Sequence, residues 1–304
     1  MSIQRLVCLA LVVAACDPGP AHHAKPDAGI FGEQCQPGGS FDINGTAGVL
    51  ATLNVHINAG GLVDTDAAAE LLLLLQVTQT GRDVAVVATP CGLTIPDIPV
   101  AGQDKPIHFE LPAPLIASVH PVTGTGELDG DRTCATVQCH PITLLIGARM
   151  SPAAAGKLPE ADANGVFNAC LPSTANCYDA ITSMCACDQE LDGKPGATLT
   201  ASNVPVVPLE KVYVNIRATF SLSGQVWSSD RIEGEVTASL EQAILGCGKA
   251  GGVTCSAGET VLVKNLNPRI TQSEQDPSVF RGVRVDEDMT CADLIAMRDV
   301  IFGR

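Results

Sequence analysis

Asp188, Glu190 and Asp192 stand at alternate positions and run into Gly193, and these types at this spacing suit the binding of a hard cation. A chain that wraps an ion and turns at a glycine can bring alternate carboxylates onto it, so Asp188 to Gly196 is a candidate calcium site. A solvated acidic turn ahead of a strand at Ala197 is the competing reading. Asp129 and Asp131 form a sparser pair. His108 and Glu110 flank Phe109, which puts both on one face of a strand as a candidate acid/base pair, although such pairs are common on ordinary surfaces. Cys185 and Cys187 have no cationic neighbour to activate a thiolate, since Met184 and Asp188 flank them, and this favours structural bridging. Cys134, Cys139 and His140 lack the paired CxxC spacing of zinc sites. The sequence contains no G-x-S-x-G, S-x-x-K, H-E-x-x-H or G-x-x-x-x-G-K, so no catalytic residue is assigned and the chain is read as non-enzymatic. Tyr213, Arg217 and Trp227 share one strand phase and belong to the types that dominate interface hot spots, which makes them a candidate binding surface.

The elements that carry these residues are strands and the loops between them. From Val212 to Val226 aliphatic and polar side chains alternate, and the alternation resumes after Trp227 to Asp230 with Ile232, Val236, Ala238 and Leu240 on the apolar side. Only a strand separates such residues onto two faces, so a long antiparallel hairpin is expected, curved because strands of this length bend around a core. Ala51, Leu53, Val55 and Ile57 repeat the pattern, and Leu71 to Val77 with Val84 to Thr89 flank a turn at Thr80 to Asp83. Weaker strands are expected over Leu115 to Val122, Ile142 to Met150, Val253 to Val263 and Phe280 to Val285. Residues 151–197 hold four cysteines and no convincing strand, and read as a disulfide-stapled loop excursion. Thr290 with Asp293 three residues on is an N-cap pattern, so a short C-terminal helix is expected over residues 290–303. The fold class is therefore all-β, an antiparallel curved sandwich or barrel-like sheet, formed by residues 39–304. Phe, Tyr and Trp make up only 3% of the chain, so the core must be aliphatic.

The first residues address the compartment. Arg5, the short apolar run Leu6 to Val13 and the small pair Ala14-Ala15 have the form of an export signal, and the run is too short to span a bilayer. Val13-Ala14-Ala15-Cys16 resembles the lipobox of bacterial lipoprotein precursors. That resemblance implies removal of the signal peptide, residues 1–15, and attachment of fatty acyl groups such as palmitate at Cys16. The protein would then be held by a membrane anchor in the bacterial cell envelope, on the inner or outer membrane. Residues 16–38 are rich in Pro, Gly, Ala and polar groups and read as a flexible tether. Asp188 to Gly193 resembles the opening of calcium loops of the D-x-D-x-D-G type, but Leu199 stands at the twelfth position, where an EF-hand places its bidentate glutamate.

Eleven cysteines remain between Cys35 and Cys291 once Cys8 and Cys16 are set aside. In an oxidising compartment disulfides are the default, with Cys134–Cys139 and Cys247–Cys255 as close sequence partners and Cys170, Cys177, Cys185 and Cys187 stapling one region. An odd number leaves one thiol free or one bridge intermolecular. The formal net charge of −15 disfavours nucleic acid as a partner. These readings together describe a non-catalytic envelope lipoprotein with a binding or structural role toward another envelope protein. A carrier of apolar ligand or lipid in a β cavity is the alternative, and a hydrolase would require a polar cluster in a pocket.

Overall fold

The structure is a computed structural model that describes residues 35, 38–59, 63–100, 102–151, 153, 156–171, 177–178, 183–204, 208–265 and 269–303. The signal segment, Cys16 and the tether through residue 34 lie outside the described residues. Period-two alternation draws the chain into long strands: β1 (Gly45–Asn58), β2 (Asp64–Thr80) and β3 (Asp83–Thr94) form a meander. Short β4 (His108–Glu110) precedes β5 (Val122–Leu128), β6 (Thr136–Ile146) and β7 (Ala148–Arg149). Then come β8 (Cys185–Ala186), β9 (Ala197–Ser202), the hairpin β10 (Leu209–Ser228) with β11 (Arg231–Lys249), and β12 (Val253–Thr254), β13 (Arg269–Gln272) and β14 (Val279–Arg284).

The strand pairings close on themselves. The order runs β1, β2, β3, β5, β6, β10, β11, β14 and returns to β1, with every pair antiparallel. The expected barrel-like sheet is thus a ring of eight strands, of which β10 and β11 are the longest. Bending them so tightly requires glycine where they cross. Gly224 and Gly234 are register partners, and a Cβ on Gly234 would lie 2.1 Å from the Ser223 carbonyl oxygen. Val49, Val55, Leu73, Val86, Leu144, Leu222 and Val236 face inward and are buried in one continuous core. Thr219, Ser221, Ser223 and Gln225 of β10 alternate with them on the outer face. Polar outside and aliphatic inside is the inverse of a membrane-spanning barrel. At the end opposite the Thr80–Asp83 turn, the chain after β3 folds back and fills the barrel with Ile98, Ile107, Phe109 and Leu115, all at most 1% exposed.

Two outer layers cover the ring. The C-terminal segment forms α3 (Cys291–Ala296) and α4 (Arg298–Phe302), after α1 (Ala113–Ser118) and α2 (Ala257–Asn265). Thr290 caps α3 through a reciprocal pair of bonds with Asp293, and Leu294 and Phe302 pack on Leu50 and Leu72. Gly48 makes that contact close, since a Cβ there would sit 2.6 Å from Leu294. The Cys91–Cys291 bridge locks the layer in place. The Cys-rich excursion forms the other layer, pinned by Cys170–Cys185 and Cys177–Cys187, with β7 pairing β8.

Several expectations are corrected. Leu115 to Val122 is not a strand throughout; Pro112 and Pro114 start α1 at Ala113, because proline suits the first helical turn. Val253 to Val263 is mostly α2, because Ser256 and Glu259 cap each other: the Ser256 N–H donates to Glu259 at 2.8 Å and the Glu259 N–H to Ser256 Oγ at 3.3 Å. Cys134 bonds to Cys35, not to Cys139. The register explains it: Cys139 lies inside the ring opposite Gly126 and Leu222, whereas Cys134 turns with φ 74° at the rim beside Val226. Cys247–Cys255 forms as expected, and Cys139 is the free cysteine among the described residues.

Candidate functional site

The lumen is not filled to its second end. Inward side chains of β1, β2, β3, β6, β10, β11 and β14 enclose a cavity among Val49, Leu75, Val86, Val137, Leu222 and Phe280. The remaining strand of the ring, β5, contributes glycine: a Cβ on Gly124 would lie 2.5 Å from Ile142, so the wall has no room for a side chain there. The cavity measures about 60 Å³ and opens into about 610 Å³ of space free of protein atoms with the mouth included. Below the rim the wall is aliphatic apart from Thr46, Phe280 and Cys139, whose thiol is pushed up to about 11 by burial.

The rim is polar and its charges are compensated. Arg284 lies 3.2 Å from Asp230 and donates to the carbonyl oxygens of Ser229, at 3.1 Å, and Asp42. Arg231 stacks 4.8 Å from the Trp227 ring and bonds to Glu233 at 2.9 Å. Glu233 itself is on the outer face, buried under the C-terminal layer, and accepts also from Arg281 at 2.6 Å. The sequence supports a β cavity as an alternative reading but does not place it or name its lining, because the wall exists only once β11 meets both β10 and β14.

The acidic loop turns its carboxylates on itself. Asp188 accepts from the N–H groups of Asp192 at 3.0 Å and Gly193 at 2.8 Å. Asp192 accepts from the Lys194 N–H and the Thr198 hydroxyl, and Glu190 from the Thr198 N–H at 2.7 Å. Burial raises the Glu190 carboxyl above its ordinary value, partly offset by the Thr198 bonds. The neighbouring Gln189 is 1% exposed and bridges the Ser118 carbonyl and the Gly147 N–H, which fixes the loop to the barrel. Among the described residues no three His, Cys, Asp or Glu side chains converge as a metal-holding group.

The face carrying Tyr213, Arg217 and Trp227 is not an open patch. Tyr213 and Arg217 are 4% and 8% exposed, so their reading as a free contact surface is corrected. Tyr213 packs with Ala186, Leu245 and Phe167, and Arg217 donates to the Gly156 carbonyl at 2.9 Å and pairs with Glu241. The excursion needs an apolar and a cationic footing on the barrel, and these two residues supply it. Half-buried Trp227 serves Arg231. His108 pairs with Asp97 at 2.7 Å instead of Glu110.

Fold and cavity define an acidic, disulfide-stapled antiparallel barrel with an aliphatic lumen open at one end. The chain matches no protein-family model, no curated protein and no solved structure.

Proposed function

We propose that the protein is a non-catalytic lipoprotein of the bacterial cell envelope, anchored at Cys16, whose barrel binds an apolar ligand in its open end. The observation that carries this reading is the cavity wall: seven strands contribute inward side chains, nearly all aliphatic, where a packed barrel would be filled. Eight-stranded barrels are just wide enough either to pack shut or to hold one small ligand. This one is packed at its far end and unfilled at the other. The lipobox-like Val13 to Cys16 and five disulfides support an exported, anchored chain. The charged groups that line the cavity, Asp230, Arg231 and Arg284, stand at its rim and are paired, Asp230 with Arg284 and Arg231 with Glu233, and this favours binding over catalysis.

Native mass spectrometry of the full chain, exported by a bacterial host and titrated with 1-decanol, tests the reading. One bound decanol per chain is expected, together with acyl mass on Cys16. Ala47→Phe, which projects a ring into the cavity from β1, should abolish the decanol adduct while keeping the melting transition. Equal decanol binding by wild type and Ala47→Phe, or none by wild type, overturns the site. Calcium enters as a side titration: an added calcium mass lost in Asp188→Ala would assign the acidic loop a binding role beyond its internal hydrogen bonds, which leave Glu190 Oε2 buried without a partner.

A further inference from the structure

The segment that leads toward Cys16 leaves the fold from the rim of the cavity. Cys35 is bonded to Cys134 between β5 and β6, the Gly39 carbonyl accepts from the Thr133 N–H at 3.2 Å, and Ser40 bridges to Arg132. Asp42 then meets Ser229 at 3.4 Å and the Arg284 guanidinium, and Ile43 itself lines the cavity. A disulfide and four polar contacts thus nail the entering chain to the open end. Eighteen residues separate Cys16 from Cys35. The segment toward Cys16 therefore joins the fold at the open end of the barrel, so an anchor at Cys16 would be attached on the side of the cavity mouth and not of the packed end.

The rim does not select a charged head group. Arg284 is offset by Asp230, and Arg231 by Glu233. Below the rim the lumen selects hydrocarbon, since its lining there is aliphatic apart from Thr46, Cys139 and Phe280. An aliphatic cavity at the membrane face exchanges water for hydrocarbon when a chain enters, so the gain is the wall area removed from water.

We infer that the anchored protein receives one acyl chain of a bilayer lipid, tail first, through the rim from which its own tether leaves. This rests on the reading of the lumen as an apolar site and of Cys16 as the anchor. The ligand is taken directly from the membrane and its head group stays outside the barrel. In solution, affinity for n-alkanols should rise about fourfold per methylene and level off once the lumen is filled.

The test uses full-length acylated protein in phosphatidylcholine vesicles that contain a phosphatidylcholine with a diazirine at the end of one acyl chain. Illumination should crosslink lipid to the luminal peptides carrying Val137, Cys139 or Leu222, and Val77→Phe or Ala47→Phe should remove the crosslink. Cys16→Ser, which cannot be acylated, should lose the crosslink yet bind decanol from solution as tightly as the anchored chain. Luminal crosslinking of Cys16→Ser at the anchored level, or no luminal crosslink in the anchored chain while decanol still binds, overturns the inference and leaves the site standing. Loss of decanol binding as well would mean that the site itself has failed.

Discussion

Cys139 is chemically silent by placement. Burial in the aliphatic wall holds its thiol up to about 11, so at pH 8 only about one molecule in a thousand carries the thiolate that reacts. Native protein should consume no thiol reagent at pH 8 over minutes, and one equivalent per chain once denatured, with the label mapped to Cys139. Rapid native labelling would show that the wall opens. Glu233 is the opposite case, a buried carboxylate that holds two guanidiniums. One of its oxygens serves both Arg231 and Arg281, and Arg281 also donates to the Phe302 carbonyl at 2.9 Å, which ties the ring to the terminal helix. Glu233→Ala would leave two half-covered cations facing each other without their counter-charge. Urea denaturation should show a loss of roughly 3 kcal/mol. Glu233→Gln should recover part of it by keeping a hydrogen-bond acceptor.

At the scale of elements, α2 is held by its first turn. The Lys249 ammonium, at 2.8 Å, and then the Ser256 N–H and hydroxyl hold the Glu259 carboxyl down to about 2, from an ordinary 4.5. A carboxyl lowered on folding contributes stability above its unfolded value and loses it as pH falls through the folded one. The melting temperature of wild type should therefore exceed that of Glu259→Gln above pH 5, and the gap should close between pH 4.5 and 2. A gap independent of pH would remove Glu259 from the account. The Ser256-x-x-Glu259 spacing was the available signal for this helix, but Val253, Val261 and Val263 pointed to a strand. The β10–β11 hairpin, in contrast, was legible because its alternation runs through both strands and is interrupted only at the turn. Pro112 and Pro114 carried the signal for α1 in the same way that Ser256 and Glu259 did for α2. Local chemistry announces elements; it does not say that polar Tyr213, Asn215 and Arg217 are roofed, since the roof is a segment some sixty residues distant in sequence, as the bond from Asn215 to the Pro159 carbonyl at 2.6 Å records.

The ring closes through pairings between distant parts of the chain, β1 with β14 and β6 with β10, and the Cys91–Cys291 disulfide adds a long-range link between β3 and α3. Curvature and the aliphatic core were readable from strand length and composition, and a cavity was readable as an alternative to a packed core, but its place and lining were not, because its wall needs the register of strands more than two hundred residues apart, such as Val49 with Gly282. Cysteine pairing was half readable for the same reason: Cys247–Cys255 is local, separated by 8 residues, while Cys91–Cys291 spans 200. Loop-closure entropy makes these two bridges unequal. A cross-link restricts the unfolded chain more as the closed loop lengthens, which gives about 5 kcal/mol for the Cys91–Cys291 loop and about 2.5 kcal/mol for Cys247–Cys255. Removing each bridge as a double alanine variant and measuring stability in urea should reproduce that order. The Cys91→Ala/Cys291→Ala variant should also release α3 and α4, so amides of Leu294 to Phe302 should exchange faster with solvent than those of β10 and β11. If both variants lose the same stability and the terminal amides remain protected, Leu294 and Phe302 packing on Leu50 and Leu72 holds the layer by itself, and the bridge acts on the folded layer no more than on the unfolded chain.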